Sequence, residues 1–162
     1  METSTSDLAD LHGERARVLA PGLRHYGGRQ RFGGLIVTVR CYEDNSRVKD
    51  LVSSSGEQRV LLVDGGGSTR CALVGDILAG EALRNGWAGI VIYGAVRDTA
   101  ALATLELGVM ALATSPRRSR KEGYGAVDVA VEICGVACRP GELIVADEDG
   151  VVVIDPALLG DA

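Results

Sequence analysis

The stretch Gly75–Asp98, GDILAGEALRNGWAGIVIYGAVRD, runs through loop, helix, tight turn, buried strand and loop in one short span. Gly75-Asp76 opens the helix, and Ile77, Leu78, Ala79, Ala82 and Leu83 recur at helical spacing to give it an apolar side. Asn85-Gly86 stops it, because both residues tolerate the left-handed conformation of a helix cap. Ala88–Tyr93 is a short unbroken apolar run, the pattern of a strand covered on both faces. Gly94 is expected to end that strand, and Arg97-Asp98 follow just past its carboxyl end. Ligands of α/β proteins gather at such strand ends, and at helix N-termini, where unpaired backbone N–H groups attract anions. The segment thus offers two anion-binding features, a helix N-terminus and Arg97, beside two carboxylates, Asp76 and Asp98. That combination suits a metal ion with a carboxylate substrate.

The rest of the chain supports an α/β front and a mostly antiparallel β back. Ser6–Leu11 reads as a capped helical turn that Gly13 breaks. Leu35–Tyr42 and Val60–Val63 are strand-like, and Ser46 is placed to cap a helix over residues 47–53. Ser68–Val74 is either a loop or a strand-like lead into the helix at Asp76. Ala100–Glu106 is expected to be helical and Leu107–Leu112 a buried strand. Val127–Ile133 alternates apolar and polar residues, as a strand with one wet face does. Leu143–Val145 and Val151–Ile154 flank an Asp-Gly hairpin signal. With 162 residues the chain is expected to form one domain over residues 1–162.

Several classes of function lack the residues they need. No apolar run approaches the ~20 residues that cross a bilayer, and the polar, acidic start is not a signal peptide, so the expected compartment is cytoplasmic. A formal net charge of -5 argues against a general nucleic-acid binder. The basic run Arg117-Arg118-Ser119-Arg120-Lys121 reads as a solvated loop or, less simply, as a phosphate patch. Cys41, Cys71, Cys134 and Cys138 suit reduced buried thiols, and the C-x3-C pair has no histidine nearby to make a zinc site. His12 and His25 are the only histidines, and Lys49 and Lys121 the only lysines, none of them in an apolar run. A serine–histidine triad or a desolvated Schiff-base lysine therefore has little material. A metal would be held chiefly by carboxylate and water oxygens, which favours Mg2+ or Mn2+. Asp64-Gly65-Gly66-Gly67 after a strand resembles a nucleotide- or S-adenosylmethionine-binding loop. No acidic residue ends a following strand where the ribose would be held, and the plainer role of these glycines is a sharp turn. Singly, Asp76 is an ordinary helix first-turn residue and Arg97-Asp98 an ordinary surface ion pair. Only their convergence would make a site, and the pattern leaves both readings open.

The segment VDGGGSTRCALVGDILAGEALRNGWAGIVIYGAVRD, with HYGGRQRFGG before it and PGELIVADEDGVVVI near the end, closely resembles the RraA-like family over almost the whole chain. That family contains the regulator of ribonuclease E activity and the class II 4-hydroxy-4-methyl-2-oxoglutarate aldolases. Its aldolases carry a D-X20-R-D pattern, met here by Asp76, twenty intervening residues, Arg97 and Asp98. The resemblance implies that Asp98 binds the divalent metal and that Asp76 holds water on it. It also implies that Arg97 and the backbone around Gly75, Asp76, Ile77 and Leu78 bind the pyruvyl end of a 2-keto acid. It implies a compact β/β/α sandwich of the swivelling-domain type, assembled as a homotrimer with sites at subunit boundaries. Catalysis, with oxaloacetate decarboxylation as a side activity, is the expectation. A non-catalytic inhibitor that docks on ribonuclease E is the alternative. A menaquinone-methyltransferase label that relatives have carried finds no support in these residues.

Overall fold

The computed structural model describes residues 3–160, so Met1, Glu2, Asp161 and Ala162 of the expected single domain lie outside the described residues. Helix α1 (Thr5–His12) is capped by the Ser4 hydroxyl, which accepts from the Asp7 N–H, and Gly13 ends it. Then come β1 (Arg17–Val18), β2 (Arg24–His25), β3 (Phe32–Arg40), α2 (Ser46–Val52), β4 (Val60–Asp64) and β5 (Ala72–Val74). Helix α3 (Asp76–Arg84), β6 (Gly89–Val96), α4 (Thr99–Leu102) and β7 (Gly108–Thr114) form the central portion. The chain closes with β8 (Ala126–Val127), β9 (Val131–Ile133), β10 (Val136–Cys138), β11 (Leu143–Ala146) and β12 (Val151–Ile154).

The main sheet runs β1-β12-β11-β3-β4-β6-β7-β2. Its centre, β3-β4-β6-β7, is parallel, and the β11–β12 hairpin and β1 extend it antiparallel. Strand β3 pairs with β11 along Phe32–Leu35 and with β4 along Ile36–Arg40, so the sheet curls along this strand. Both faces are covered. Leu61 and Val63 pack with Val48 and Val52 of α2 and Ala79 and Ala82 of α3. Val60 and Leu62 join Phe32, Val131, Ile133, Ile144 and Val153 on the other face. Two covered faces explain why β4 reads as unbroken apolar sequence. The expected β/β/α layering is present: helices, central sheet, then the β9–β10 hairpin and the curled end of the sheet.

Local details depart from expectation for definite reasons. Gly94 does not end β6. Strand pairing with β7 shifts register between Ile92 and Ala95, so Gly94 sits in an irregularity and the strand continues to Val96. Strand β4 covers the first half of β6 and β5 the second, with Asp64–Gly67 crossing between them. There the N–H groups of Gly65 and Gly67 both donate to Tyr93 O, at 3.0 and 3.1 Å, and Gly66 and Gly67 take φ of 69° and 75°. The glycines make a turn, as the plainer reading holds. The helix expected at Ala100–Glu106 is only Thr99–Leu102, because the chain then tightens into i→i−3 turns, the Thr104 N–H donating to Ala101 O and the Leu105 N–H to Leu102 O. The strand expected at Val127–Ile133 is broken at Asp128, with φ 59°: β8 pairs with β3, and β9 with β10. Ser46 begins α2 without capping it. Its N–H goes to Asp44 Oδ1, and its hydroxyl accepts from the Gly123 N–H. Asn85-Gly86 does stop α3, with Gly86 at φ 82°. All four cysteines are free thiols, and burial pushes Cys41 up to about 12 and Cys138 up to about 11, which keeps both protonated.

Candidate active site

Parallel pairing of Val74 with Val96 aligns the carboxyl ends of β5 and β6. Gly75-Asp76 therefore leaves the sheet beside Arg97-Asp98, and the Arg97 N–H donates to Val74 O at 3.0 Å. Asp98 is left-handed, with φ 60° and ψ 42°, an uncommon conformation for a residue other than glycine. Its side chain turns back so that Oδ2 accepts the Asp76 N–H at 3.2 Å. Gly75 fits this contact by having no side chain. A Cβ there would lie 2.6 Å from Asp98 Oδ2 and 3.3 Å from Arg97 Cγ, while its φ of -127° suits any residue. Arg97 Nε stands 4.0 Å from Asp98 Oδ2, a loose pair with both side chains about two-fifths exposed, at 41% and 42%. Neither group is spent on the other.

These residues line a cavity of about 160 Å³ that takes in Gly75, Asp76, Ile77, Leu78, Arg97 and Asp98 together. The structure brings together every residue singled out by sequence. The N–H groups of Ile77 and Leu78 precede the first intrahelical bond, from the Ala79 N–H to Gly75 O at 3.1 Å, and so belong to the free start of α3. Ile77 departs from expectation in one respect. Helical spacing puts its side chain on the apolar side of α3, whereas it is 77% exposed at the cavity's edge, and Ala79 and Ala82 carry the buried face.

Sequence reasoning missed seven further lining residues: Ala72, Leu73 and Glu81 beside the expected set, and Asn45, Lys49, Arg118 and Lys121 from other elements. The last two belong to the basic run, whose backbone is tied down. The Ala72 N–H donates to Arg117 O at 2.7 Å, the Arg120 N–H to Glu43 O at 2.9 Å and the Asn45 N–H to Arg120 O at 3.2 Å. Asp44 completes the attachment, accepting the Ser46 N–H on one oxygen and the Glu122 N–H on the other at 2.9 and 2.7 Å. Burial acts to raise the Asp44 carboxyl, but the bonds from Ser46 and Glu122 outweigh it and hold the group below its ordinary value. The density of cations in an acidic chain was the available signal. Asn45 is fixed by its amide N–H2, which donates to Leu73 O at 3.1 Å, and its Oδ1 is buried with no partner among the described residues.

The donor set can be tested against a metal ion. Among the described residues no three histidine, cysteine, aspartate or glutamate side chains gather into a cage. Asp76 and Asp98 supply carboxylate oxygens only, and Asp98 has one oxygen engaged by a backbone N–H and is open to the cavity. A hard cation that keeps most of its water, as Mg2+ does, needs no more than one or two carboxylates. The residues fit such an ion and fit poorly one that demands nitrogen or sulfur.

A family model described as Aldolase/RraA, of the RraA-like type, matches residues 3–153. A protein of Laribacter hongkongensis, provisionally named 4-hydroxy-4-methyl-2-oxoglutarate aldolase, is 54% identical over 159 residues, covering 98% of this chain and all of its own length, 100%. One of the same name from Pseudomonas syringae pv. tomato is 52% identical, covering 94% of each chain. Among solved structures, the RNA-processing inhibitor RraA from Thermus thermophilis is 46% identical with a TM-score of 0.92, covering 96% of this chain and 94% of its own. A structure described as an S-adenosylmethionine: 2-dimethylmenaquinone methyltransferase, from Geobacillus kaustophilus, is 43% identical with a TM-score of 0.94, covering 98% of both.

Proposed function

Since the chain belongs to the RraA-like family, we propose that it is a divalent-metal-dependent class II aldolase. Its substrate on this reading is 4-hydroxy-4-methyl-2-oxoglutarate or a related 4-hydroxy-2-keto acid, cleaved to pyruvate. The observation that carries this is the Asp76–Asp98 contact beside Arg97, two carboxylates and a guanidinium facing one cavity at a helix N-terminus.

The free first-turn N–H groups of Ile77 and Leu78 and the Arg97 guanidinium receive the substrate's carboxylate, while the Asp76 N–H stays with Asp98. Asp98 would hold Mg2+ or Mn2+, which would supply Lewis-acid polarisation of the keto group. Breaking the C3–C4 bond moves its electron pair onto C3 and the keto oxygen, giving a pyruvate enolate. Arg97 is placed to stabilise the charge that develops there. Asp76, exposed at the cavity, orients the water that takes the C4 hydroxyl proton and returns a proton to C3 of the enolate, which releases pyruvate. Loss of CO2 from oxaloacetate leaves the same enolate, so decarboxylation is a side activity. The assembly expected on this reading is a homotrimer in which a neighbouring subunit closes the site, and light scattering measures that mass.

Pyruvate release, followed with and without chelator, tests the reading. Activity lost to chelator and restored by Mg2+ supports it, and silence with all 4-hydroxy-2-keto acids and oxaloacetate in saturating Mg2+ rejects it. The 46% identity to an RNA-processing inhibitor keeps a second reading, a protein that binds and inhibits ribonuclease E. That reading needs no metal, and ribonuclease binding without pyruvate release would favour it.

A further inference from the structure

Little inside the cavity fixes the direction of the Arg97 guanidinium. Its Nε stands 4.0 Å from Asp98 Oδ2, too far for a hydrogen bond. Behind the cavity, Nη1 donates to the Pro116 carbonyl at 3.4 Å, the one hydrogen bond this guanidinium makes among the described residues. That carbonyl belongs to the peptide group joining Pro116 to Arg117, and the N–H of the same group donates to Ser115 Oγ at 3.3 Å. In a trans peptide the C=O and N–H point to opposite sides of one rigid plane. The Ser115 hydroxyl therefore decides where the Pro116 carbonyl points. With the N–H drawn to Ser115, the carbonyl faces Arg97. Turned over, the peptide would present its N–H to the guanidinium, donor against donor.

Ser115 is itself fixed. It is 8% exposed, and its N–H donates at 3.0 Å to O of Val96, the residue before Arg97. Its hydroxyl hydrogen goes to Arg70 O at 3.4 Å. Beyond the turn, the Arg117 carbonyl accepts the Ala72 N–H at 2.7 Å, which holds the segment to β5. Pro116 and Arg117 are exposed, so water could solvate their shared peptide in either orientation. The serine hydroxyl chooses between the two.

We propose that Ser115 is a positioning residue: through the Pro116–Arg117 peptide it aims the Arg97 guanidinium at the carboxylate of the 2-keto acid. The proposal rests on the aldolase reading and names a residue outside the cavity lining. A guanidinium grips a carboxylate through two parallel bonds only when its plane is correctly turned. A plane set in advance loses less freedom on binding. The Pro116 carbonyl takes one N–H and leaves the rest of the fork to the ligand. At 3.4 Å that contact sets direction more than it adds energy.

Calorimetric titration of pyruvate in saturating Mg2+ tests this without turnover. Ser115→Ala is expected to weaken binding by roughly tenfold, the scale of one directed hydrogen bond, with the number of sites per chain unchanged. Ser115→Thr keeps the hydroxyl and should bind as the wild type does. In the Arg97→Ala background, Ser115→Ala should add no further loss, because it acts only through that guanidinium. A hydroxyl that merely supports folding would lower the fraction of competent sites and leave the affinity of the remainder unchanged. That result overturns the proposal, as does an equal loss in Ser115→Thr or a tenfold loss that persists without Arg97. A wild type with no affinity for pyruvate overturns it too. The expected pattern, in a protein releasing no pyruvate from 4-hydroxy-4-methyl-2-oxoglutarate or oxaloacetate, supports Ser115 as the positioner of a 2-keto acid site and rejects the aldolase reading instead. A circular-dichroism melt confirms that each variant is folded.

Discussion

The backbone N–H of Asp76 donates to the Asp98 carboxylate across 3.2 Å, joining the first residue of α3 to the residue that leads into α4. Gly75 offers no side-chain cap to α3, so Asp98 caps that helix from 22 residues away. The same carboxylate is the proposed cation ligand. The two duties separate by substitution. Asp98→Asn keeps an acceptor for the Asp76 N–H but loses the charge. Pyruvate release should fall by about 100-fold or more, with a melting temperature close to wild type. Asp98→Ala should lose both, adding a stability cost of about 1 kcal/mol. Turnover of Asp98→Asn near the wild-type level would leave only the capping role.

Arg97 is held to the sheet by its backbone, through the N–H that donates to Val74 O, so its side chain can be removed without touching the strand. Arg97→Ala should reduce kcat/KM for pyruvate release by on the order of 100- to 1000-fold, as loss of a charge-stabilising group does, while the protein stays folded. Wild-type turnover by purified Arg97→Ala in saturating Mg2+ would falsify the mechanism. Arg97→Lys keeps the charge and loses the fork, and should recover part of the activity.

Gly75 tests placement rather than charge. Its backbone suits any residue, but an added Cβ would come within 2.6 Å of Asp98 Oδ2. Gly75→Ala should displace the carboxylate and cost roughly 100-fold in turnover, the scale that a misplacement of about 1 Å produces. Stability should fall by no more than about 1 kcal/mol, which is what the Asp98 cap contributes. A Gly75→Ala enzyme with unaltered kinetics would show that the carboxylate need not sit where the structure puts it.

How much of this could be read from the sequence follows from which contacts are local. The helix and strand of Gly75–Asp98 announce themselves by periodicity, and a parallel β-α-β path brings Asp76 to Asp98 without further information. Strand β5 was ambiguous because it has only three residues, and its place depends on the second half of β6 lying free beyond β4. Gly94 looked like a strand end because a glycine at a bulge and a glycine at a terminus are the same letter. The cationic side of the cavity was hidden for a different reason. Its position rests on long-range bonds, such as the Glu122 N–H to Asp44, 78 residues apart. Composition shows that Arg117–Lys121 is basic, but nothing in the local pattern says what it faces.

Asp44 gives the last test, because it ties that loop down from a nearly inaccessible position, 1% exposed. Burial alone would raise its carboxyl, and the bonds from Ser46 and Glu122 overcome this and depress it. A depressed folded value means the unfolded chain takes up the proton first as pH falls. The stabilisation is therefore complete above the unfolded value, about 3.9 for aspartate, and is lost as pH drops through the lower folded value. Asp44→Asn should be destabilised at neutral pH by about 1–3 kcal/mol. Its amide has one acceptor where two N–H groups need partners, and its own N–H2 faces a donor. As pH falls below the unfolded value and through the depressed folded one, the wild-type carboxyl protonates as well, so the gap between the two melting temperatures should narrow. A gap that stays constant from pH 7 to pH 3 would show that the charge of Asp44 has no part in holding the loop.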